Sequence, residues 1–354
     1  MFVAYHLVSE GVGVTIIEQG EPGSWSRAAA GLIEYRTFNI NRINAPGYII
    51  RYLGMVRRGE ASIRYLRTDW LVKYLRNYGR GIPSDLIEGI KEINDYSRRF
   101  YRSLSEELND FEYSEEPYYE LTSDIESAIR DAGKDPLNPK FEVVEFMGRE
   151  AIAFYDTAKL STDLLVNRLL RELEGRVRFV RALALGIEGS KVLLSSGKTI
   201  TGDAVIVTAG YWSSTLGIPV MPFRGFGIRV RPSAKLNAAV SFEDLGIFAI
   251  PFSNWVKVTA GFEPDPSIDT GPVMEILRRA RSVFGELELI DVAIGYRPCT
   301  PDGLPIIDRV GENTYVATGG CRLGWTQAPG VAKLVTDLTL GRTKETKFKV
   351  ARFN

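Results

Sequence analysis

Residues 295–330 read GYRPCTPDGLPIIDRVGENTYVATGGCRLGWTQAPG. Two arginines, Arg297 and Arg322, stand there beside turns rich in glycine and proline. Between them, residues 314–318 form a short apolar run that predicts a buried strand. Gly319, Gly320 and Gly324 surround Arg322, and a helix-forming run begins near Ala328. A strand that ends in glycines before a helix lets a ligand approach the backbone, with N–H groups free to meet an anion or a polar ring edge. Arginine offers a planar fork matched to a carboxylate. The stretch predicts the floor of a pocket for a cofactor and a small carboxylate substrate.

The N-terminal end supplies the other half of that pocket. Residues 1–10 read as a helix stopped by Gly11, and residues 12–17 as a buried strand ending at Glu18 and Gln19. Helix, glycine, strand and acid in that order make the second half of a dinucleotide-binding βαβ unit, whose acid binds ribose hydroxyls. The first strand and its G-x-G-x-x-G turn are expected immediately before residue 1. The expectation is that the Met1 codon is internal and miscalled as a start; the alternative is a genuinely truncated protein. Small residues at 23–33 (GSWSRAAAGLI) permit a ligand to lie against the backbone, or else make a helix with an alanine face.

Composition narrows the chemistry. The 354 residues suffice for a sizeable core and two interleaved domains. The 44 basic and 44 acidic side chains cancel, so global charge does not argue for nucleic acid. Two cysteines, Cys299 and Cys321, exclude a disulfide framework, an iron–sulfur site and a cysteine-rich zinc site; both are read as packing residues. The single histidine, His6, reads as an ordinary helix residue, and no metal site is expected. With neither an uncharged apolar run of 18 residues nor a signal peptide, the chain reads as cytoplasmic. Scarce Cys and His with plentiful Arg, Tyr and Ile hint at a thermophile.

The pattern G-x-R-P-x-T-x-D-G-x-P, then a strand, then G-G-x-R-x-G-W-T-x-A-P-G resembles the C-terminal end of the FAD-dependent D-amino acid oxidase superfamily. Within it, the likeness is to D-amino acid dehydrogenases and glycine oxidase. The resemblance implies FAD and a Rossmann-like α/β domain interleaved with an α+β substrate domain built on an antiparallel-rich sheet. It assigns Glu18 and Gln19 to the adenosine, and Ser26, Arg27, Ala28, Ala29, Ala30, Gly31 and Leu32 to the diphosphate and flavin edge. Thr208, Ala209 and Gly210 resemble the family's A-A-G-x-W-S return beneath the flavin, and Arg224 with Gly225 its R/K-G motif. Gly320, Cys321, Arg322, Leu323, Gly324, Trp325 and Thr326 complete the cofactor wall. By the same resemblance Arg297 clamps the substrate carboxylate and Arg322 lies near flavin and substrate. Phe248 stands where many relatives place a tyrosine hydroxyl, which implies an apolar wall. Tyr118 and Tyr119 face either a ligand or the core, and Tyr119 is carried as a substrate-site candidate. Read without the family, Arg297 is equally a structural partner of Asp302.

The rest of the chain fits two interleaved units. Residues 1–50, 145–215 and 290–354 are assigned to the FAD-binding domain, and 51–144 and 216–289 to the substrate domain. Residues 51–113 read as helical, residues 114–124 as an edge strand, and residues 271–285 as an amphipathic helix. Residues 51–80 carry eight Arg or Lys against two acids, which suits the solvated face of a helical lid or an anionic membrane surface. The expected activity is oxidation of a D-amino acid, D-proline included, with oxygen or a membrane quinone as electron acceptor. Glycine or sarcosine oxidation, and an inactive flavin-free subunit docking with a partner, are the alternatives. An oligomer is compatible with the sequence.

Overall fold

Alternating apolar residues build the largest element of the computed structural model, which describes residues 1–57 and 61–354. Arg58 and Glu60 of the basic stretch lie outside the described residues. The element is an eight-stranded sheet in the order Leu287–Cys299, Met221–Pro232, Val256–Pro264, Ile247–Pro251, Ala239–Phe242, Tyr118–Leu121, Arg149–Phe154, Phe141–Phe146. Neighbours run antiparallel except Ala239–Phe242 against Tyr118–Leu121. Phe226, Ile228, Val240, Ala249 and Val258 pack against Ile276, Leu277 and Ala280 of the helix Val273–Phe284. That helix matches its predicted amphipathic pattern.

The strand predicted at the sheet edge lies inside it, paired on both sides. Its acids cluster outside the strand, and the one within it, Glu120, accepts a hydrogen bond from the Tyr118 hydroxyl at 3.1 Å. The strand Arg149–Phe154 and all of Leu287–Cys299 belong to this sheet.

The remaining strands form smaller sheets. Val14–Glu18 pairs in parallel with Val177–Arg181. Val205–Val207 pairs in parallel with Thr314–Thr318, which forms a hairpin with Ile306–Arg309. Residues 14–17 and 205–207 line one common cavity. The helix Phe2–Ser9 packs on the last helix, Gly324–Thr339.

That last helix begins earlier than the onset predicted near Ala328, and carries Pro329 within it. Proline lacks the N–H that would have bonded the Trp325 carbonyl. The Tyr101 hydroxyl donates to that carbonyl instead, at 2.7 Å, so the acceptor is satisfied. One residue on, a Cβ at Gly330 would lie 2.3 Å from the Ile93 carbonyl oxygen. Glycine there lets the last helix lie against Ser84–Glu107, where the Gly330 N–H donates to Ser97 Oγ at 3.1 Å.

Candidate active site

The register of the large sheet sets the site. Phe223 pairs with Arg297 and Gly225 with Gly295, so Arg297 emerges beside a glycine. Its guanidinium lies across Gly225, where a Cβ would come within 2.2 Å of Nη1. Nη1 donates to the Gly261 carbonyl at 2.8 Å. Among the described residues no carboxylate pairs with it, and the expected alternative partner, Asp302, is taken by Arg352 at 2.8 Å. Protein surrounds Arg297, yet its head group opens onto a cavity of about 2640 Å³. Burial, then repulsion from Arg322, pulls its pKa down to about 9, which still leaves it charged at neutral pH.

Arg322 lies 4.3 Å above the Phe262 ring, and Arg297 lies 5.8 Å from the same ring. The Arg322 segment is held from below by Asn41. Its Oδ1 accepts from the Arg322 N–H at 2.9 Å and its Nδ2 donates to the Gly320 carbonyl at 3.1 Å. Tyr48 lines the same space; burial raises its phenol pKa against the pull of Arg322, Arg51 and Arg297, so it remains a neutral hydroxyl. Among the described residues, two cations without a carboxylate partner thus face one cavity.

Cys299 and Cys321 are not simple packing residues. They form a disulfide across 22 residues of sequence, with Cα atoms 4.3 Å apart. Two cysteines so far apart in sequence give no framework pattern, and only the fold brings the end of one strand onto the turn after another. The bridge ties the Arg297 strand to the Arg322 turn.

The residues expected to hold the cofactor line the cavity from Glu18 and Gln19, past Ser26, Ala28, Ala29, Ala30, Gly31 and Leu32, to Thr208, Ala209 and Gly210. Gly320, Cys321, Gly324 and Trp325 close it below, and Phe248 forms part of its side. One further observation supports a polar ligand here. Gln327 is 1% exposed and lines the cavity, yet neither amide atom has a partner among the described residues. Such orphaned groups cost about 1–3 kcal/mol unless a ligand or water satisfies them. The Gly324–Thr339 helix begins at the cavity without a side-chain cap, which adds the partial positive charge of its N-terminus to the wall. Length, small-residue lining and donor set fit an extended dinucleotide such as FAD.

Five candidates lie off the cavity. Tyr119 points to the opposite sheet face and stacks on Phe146 at 4.0 Å, because side chains alternate along a strand; Tyr118 and Glu120 line the cavity in its place. Arg224 is fully buried and paired with Glu263 at 2.9 Å and Asp265 at 3.0 Å. It is a structural ion cluster, and its neighbour Gly225 faces the cavity. Loss of Arg224 would strand two carboxylates, at a cost of about 3–5 kcal/mol. Arg27 donates outward to Asn167 at 2.9 Å. Leu323 is a core residue, and Thr326 Oγ1 accepts the Glu34 N–H at 3.1 Å. Sequence reasoning missed Tyr48, Phe262, Glu34 and Gln327. Gln327 sits inside the quoted C-terminal pattern, which was the one available signal. Glu34 is buried on the cavity wall, and desolvation lifts its carboxyl to about 7 against a hydrogen bond from Thr37.

Comparison with known proteins agrees with this geometry. A family model described as FAD dependent oxidoreductase matches residues 1–338. The chain is 47% identical over 353 residues to D-proline dehydrogenase of Pyrobaculum islandicum, covering 100% of this chain and 96% of that protein. It is 24% identical over 399 residues to D-amino acid dehydrogenase of Neisseria meningitidis, covering 97% and 93%. The fold matches the crystal structure of glycine oxidase from Geobacillus kaustophilus with a TM-score of 0.71 at 18% identity, covering 100% of this chain and 94% of that one. The chain belongs to the DAO family of FAD-dependent oxidoreductases, and it is an enzyme whose cofactor is FAD.

Proposed function

We propose that this protein dehydrogenates a D-amino acid, with D-proline the favoured substrate, to the imino acid. The observation that carries the reading is the pair Arg297 and Arg322, two cations without a carboxylate partner among the described residues, set around Phe262. The full-length likeness to a D-proline dehydrogenase supports it. Bound flavin supplies the acceptor for a hydride from the substrate Cα. Arg297 and Arg322 hold the carboxylate and so fix which Cα–H is presented. Phe248 and Phe262 wall off water and contact the ring or side chain. The substrate amine must be neutral, and this reading requires no general base.

Each buried methylene contributes roughly 0.8 kcal/mol, so the aromatic wall favours a proline ring or apolar side chain over glycine. A substrate panel with an artificial electron acceptor on the FAD-loaded protein tests this. Higher efficiency is expected with D-proline, D-alanine and larger apolar D-amino acids than with glycine or D-aspartate. A clear preference for glycine, sarcosine or D-aspartate would overturn it. Hydrogen peroxide formed in step with turnover would favour oxygen over a quinone as acceptor.

We further infer contact with an anionic membrane surface, where a quinone acceptor would reside. Among the described residues no helix is long and apolar enough to cross a membrane. Residues 48–77 do expose Ile50, Leu53, Leu66, Val72 and Leu75 beside Arg51, Arg57, Lys73 and Arg76. Apolar side chains flanked by cations suit insertion at an anionic lipid interface. Salt-sensitive cosedimentation with phosphatidylglycerol vesicles and none with phosphatidylcholine is expected. Equal recovery in the supernatant with both lipids would refute the contact.

A further inference from the structure

We infer that the Cys299–Cys321 disulfide is a positioning element of the substrate site, holding two like-charged guanidiniums together in one carboxylate-binding subsite. The inference rests on reading Arg297 and Arg322 as the carboxylate clamp. Cys299 follows Arg297 by two positions at the end of its strand, and Cys321 immediately precedes Arg322. The bridge is therefore the covalent link nearest to both head groups.

Two cations sharing one aromatic ring repel each other, and no carboxylate among the described residues forms an ion pair with either. The lowered pKa of Arg297 has Arg322 as its second cause, after burial. Repulsion acts to drive the two segments apart until an anion arrives. Each segment also has a polar anchor from another part of the chain. Trp70 Nε1 donates to the Cys299 carbonyl at 2.9 Å, and Asn41 holds the Arg322 turn. Neither anchor joins the two segments; a backbone bridge between Cys299 and Gly320 does so without a covalent bond, and the disulfide adds the covalent link.

The turn also needs a hold. Cys321 has φ +43°, a left-handed conformation that non-glycine residues rarely adopt. This conformation occurs between the chain's emergence from the strand Thr314–Thr318 and the start of the last helix, and the next residue projects over Phe262. Fixing Cys321 to Cys299 favours this backbone state before the substrate binds. The gain is preorganisation, and it concerns the charged end of the ligand more than its apolar body. A bridge that merely stabilised the fold would not discriminate between charged and uncharged ligands.

The test uses the FAD-loaded full chain and cyclopentanecarboxylate, a five-membered ring with the carboxylate but no oxidisable amine. Binding is read from the visible absorption of the bound flavin, with cyclopentanecarboxamide as the uncharged control. In the Cys299→Ala/Cys321→Ala variant, carboxylate affinity is expected to fall about tenfold, as expected for loss of a preorganised charged contact, with amide affinity little changed. KM for D-proline should rise by more than kcat falls. Undiminished carboxylate affinity in a variant with lowered thermal stability would overturn the proposal and leave the bridge a structural staple. Should the variant fail to fold, wild-type protein reduced with a phosphine takes its place, and full carboxylate affinity after reduction overturns the proposal equally. Two titratable thiols in untreated, denatured protein would also overturn it. Arg297→Leu separates the two readings. If it weakens carboxylate binding while loss of the bridge does not, the positioning role alone fails; if it binds carboxylate as wild type does, the clamp fails and the positioning role with it.

Discussion

In an Arg297→Leu variant, kcat/KM for D-proline is expected to fall by about 10²-fold or more while FAD stays bound. Truncating one side of a buried charged pair costs about 2–5 kcal/mol, and each 1.4 kcal/mol is a factor of ten. Steady-state kinetics with an artificial acceptor, together with the flavin absorbance of the purified variant, reads both halves. The fold should not suffer. Arg297 makes hydrogen bonds only to carbonyls and pairs with no described carboxylate, so its charge is a standing cost that leucine removes. A thermal midpoint equal to or above that of wild type is therefore expected alongside the lost activity, as for residues kept for function at the expense of stability. Arg297→Lys should recover only part of the activity, because an ammonium lacks the fork that matches a carboxylate. Unchanged turnover of D-amino acids by Arg297→Leu would remove Arg297 from the site.

Gly225→Ala is expected to damage the site without touching a charge. The added Cβ would stand 2.2 Å from Arg297 Nη1 and 2.8 Å from its Cζ, so the guanidinium must move. Gly225 does not have a positive φ, so alanine fits its backbone, and the obstacle is the free end of a flexible side chain. Displacement should forfeit a charged hydrogen bond of about 1.5–3 kcal/mol, which lowers kcat/KM roughly tenfold to a hundredfold. The thermal midpoint should change little. A variant with wild-type kinetics would mean that the arginine works equally well from another position, against a fixed clamp. Combining Gly225→Ala with Arg297→Leu should add almost nothing to the single arginine loss, because both act on one contact.

Much of the architecture was legible without coordinates. The run of residues 314–318 is a strand because it is short, apolar and bounded by turn residues. The helix at Val273–Phe284 and the strand Val14–Glu18 follow from local periodicity in the same way. The closely spaced glycine, proline and arginine pattern of residues 295–330 predicted a cofactor pocket, because such motifs answer to a ligand that approaches the backbone; FAD and the role of Arg297 came from its resemblance to a known family. These features depend on neighbours a few positions away, which a sequence displays directly.

What the sequence left open depends on partners far along the chain. Arg224 and Arg297 are chemically alike, and Glu263 and Asp265 neutralise only the first. Tyr118 and Tyr119 differ by one position, and the sheet register sends one to the cavity and the other to Phe146. The helix expected to begin near Ala328 begins at Gly324, and the Trp325 carbonyl that Pro329 cannot bond accepts from Tyr101. Two cysteines 22 residues apart became a disulfide only because the Arg297 strand and the Arg322 turn meet at 4.3 Å between Cα atoms. The sequence by itself determined the elements, which are written in local spacing, and its resemblance to a known family implied the cofactor. Only the tertiary structure decided which charges are paired, which faces turn inward and which sulfurs meet, because those outcomes depend on distances in space between residues remote in the chain.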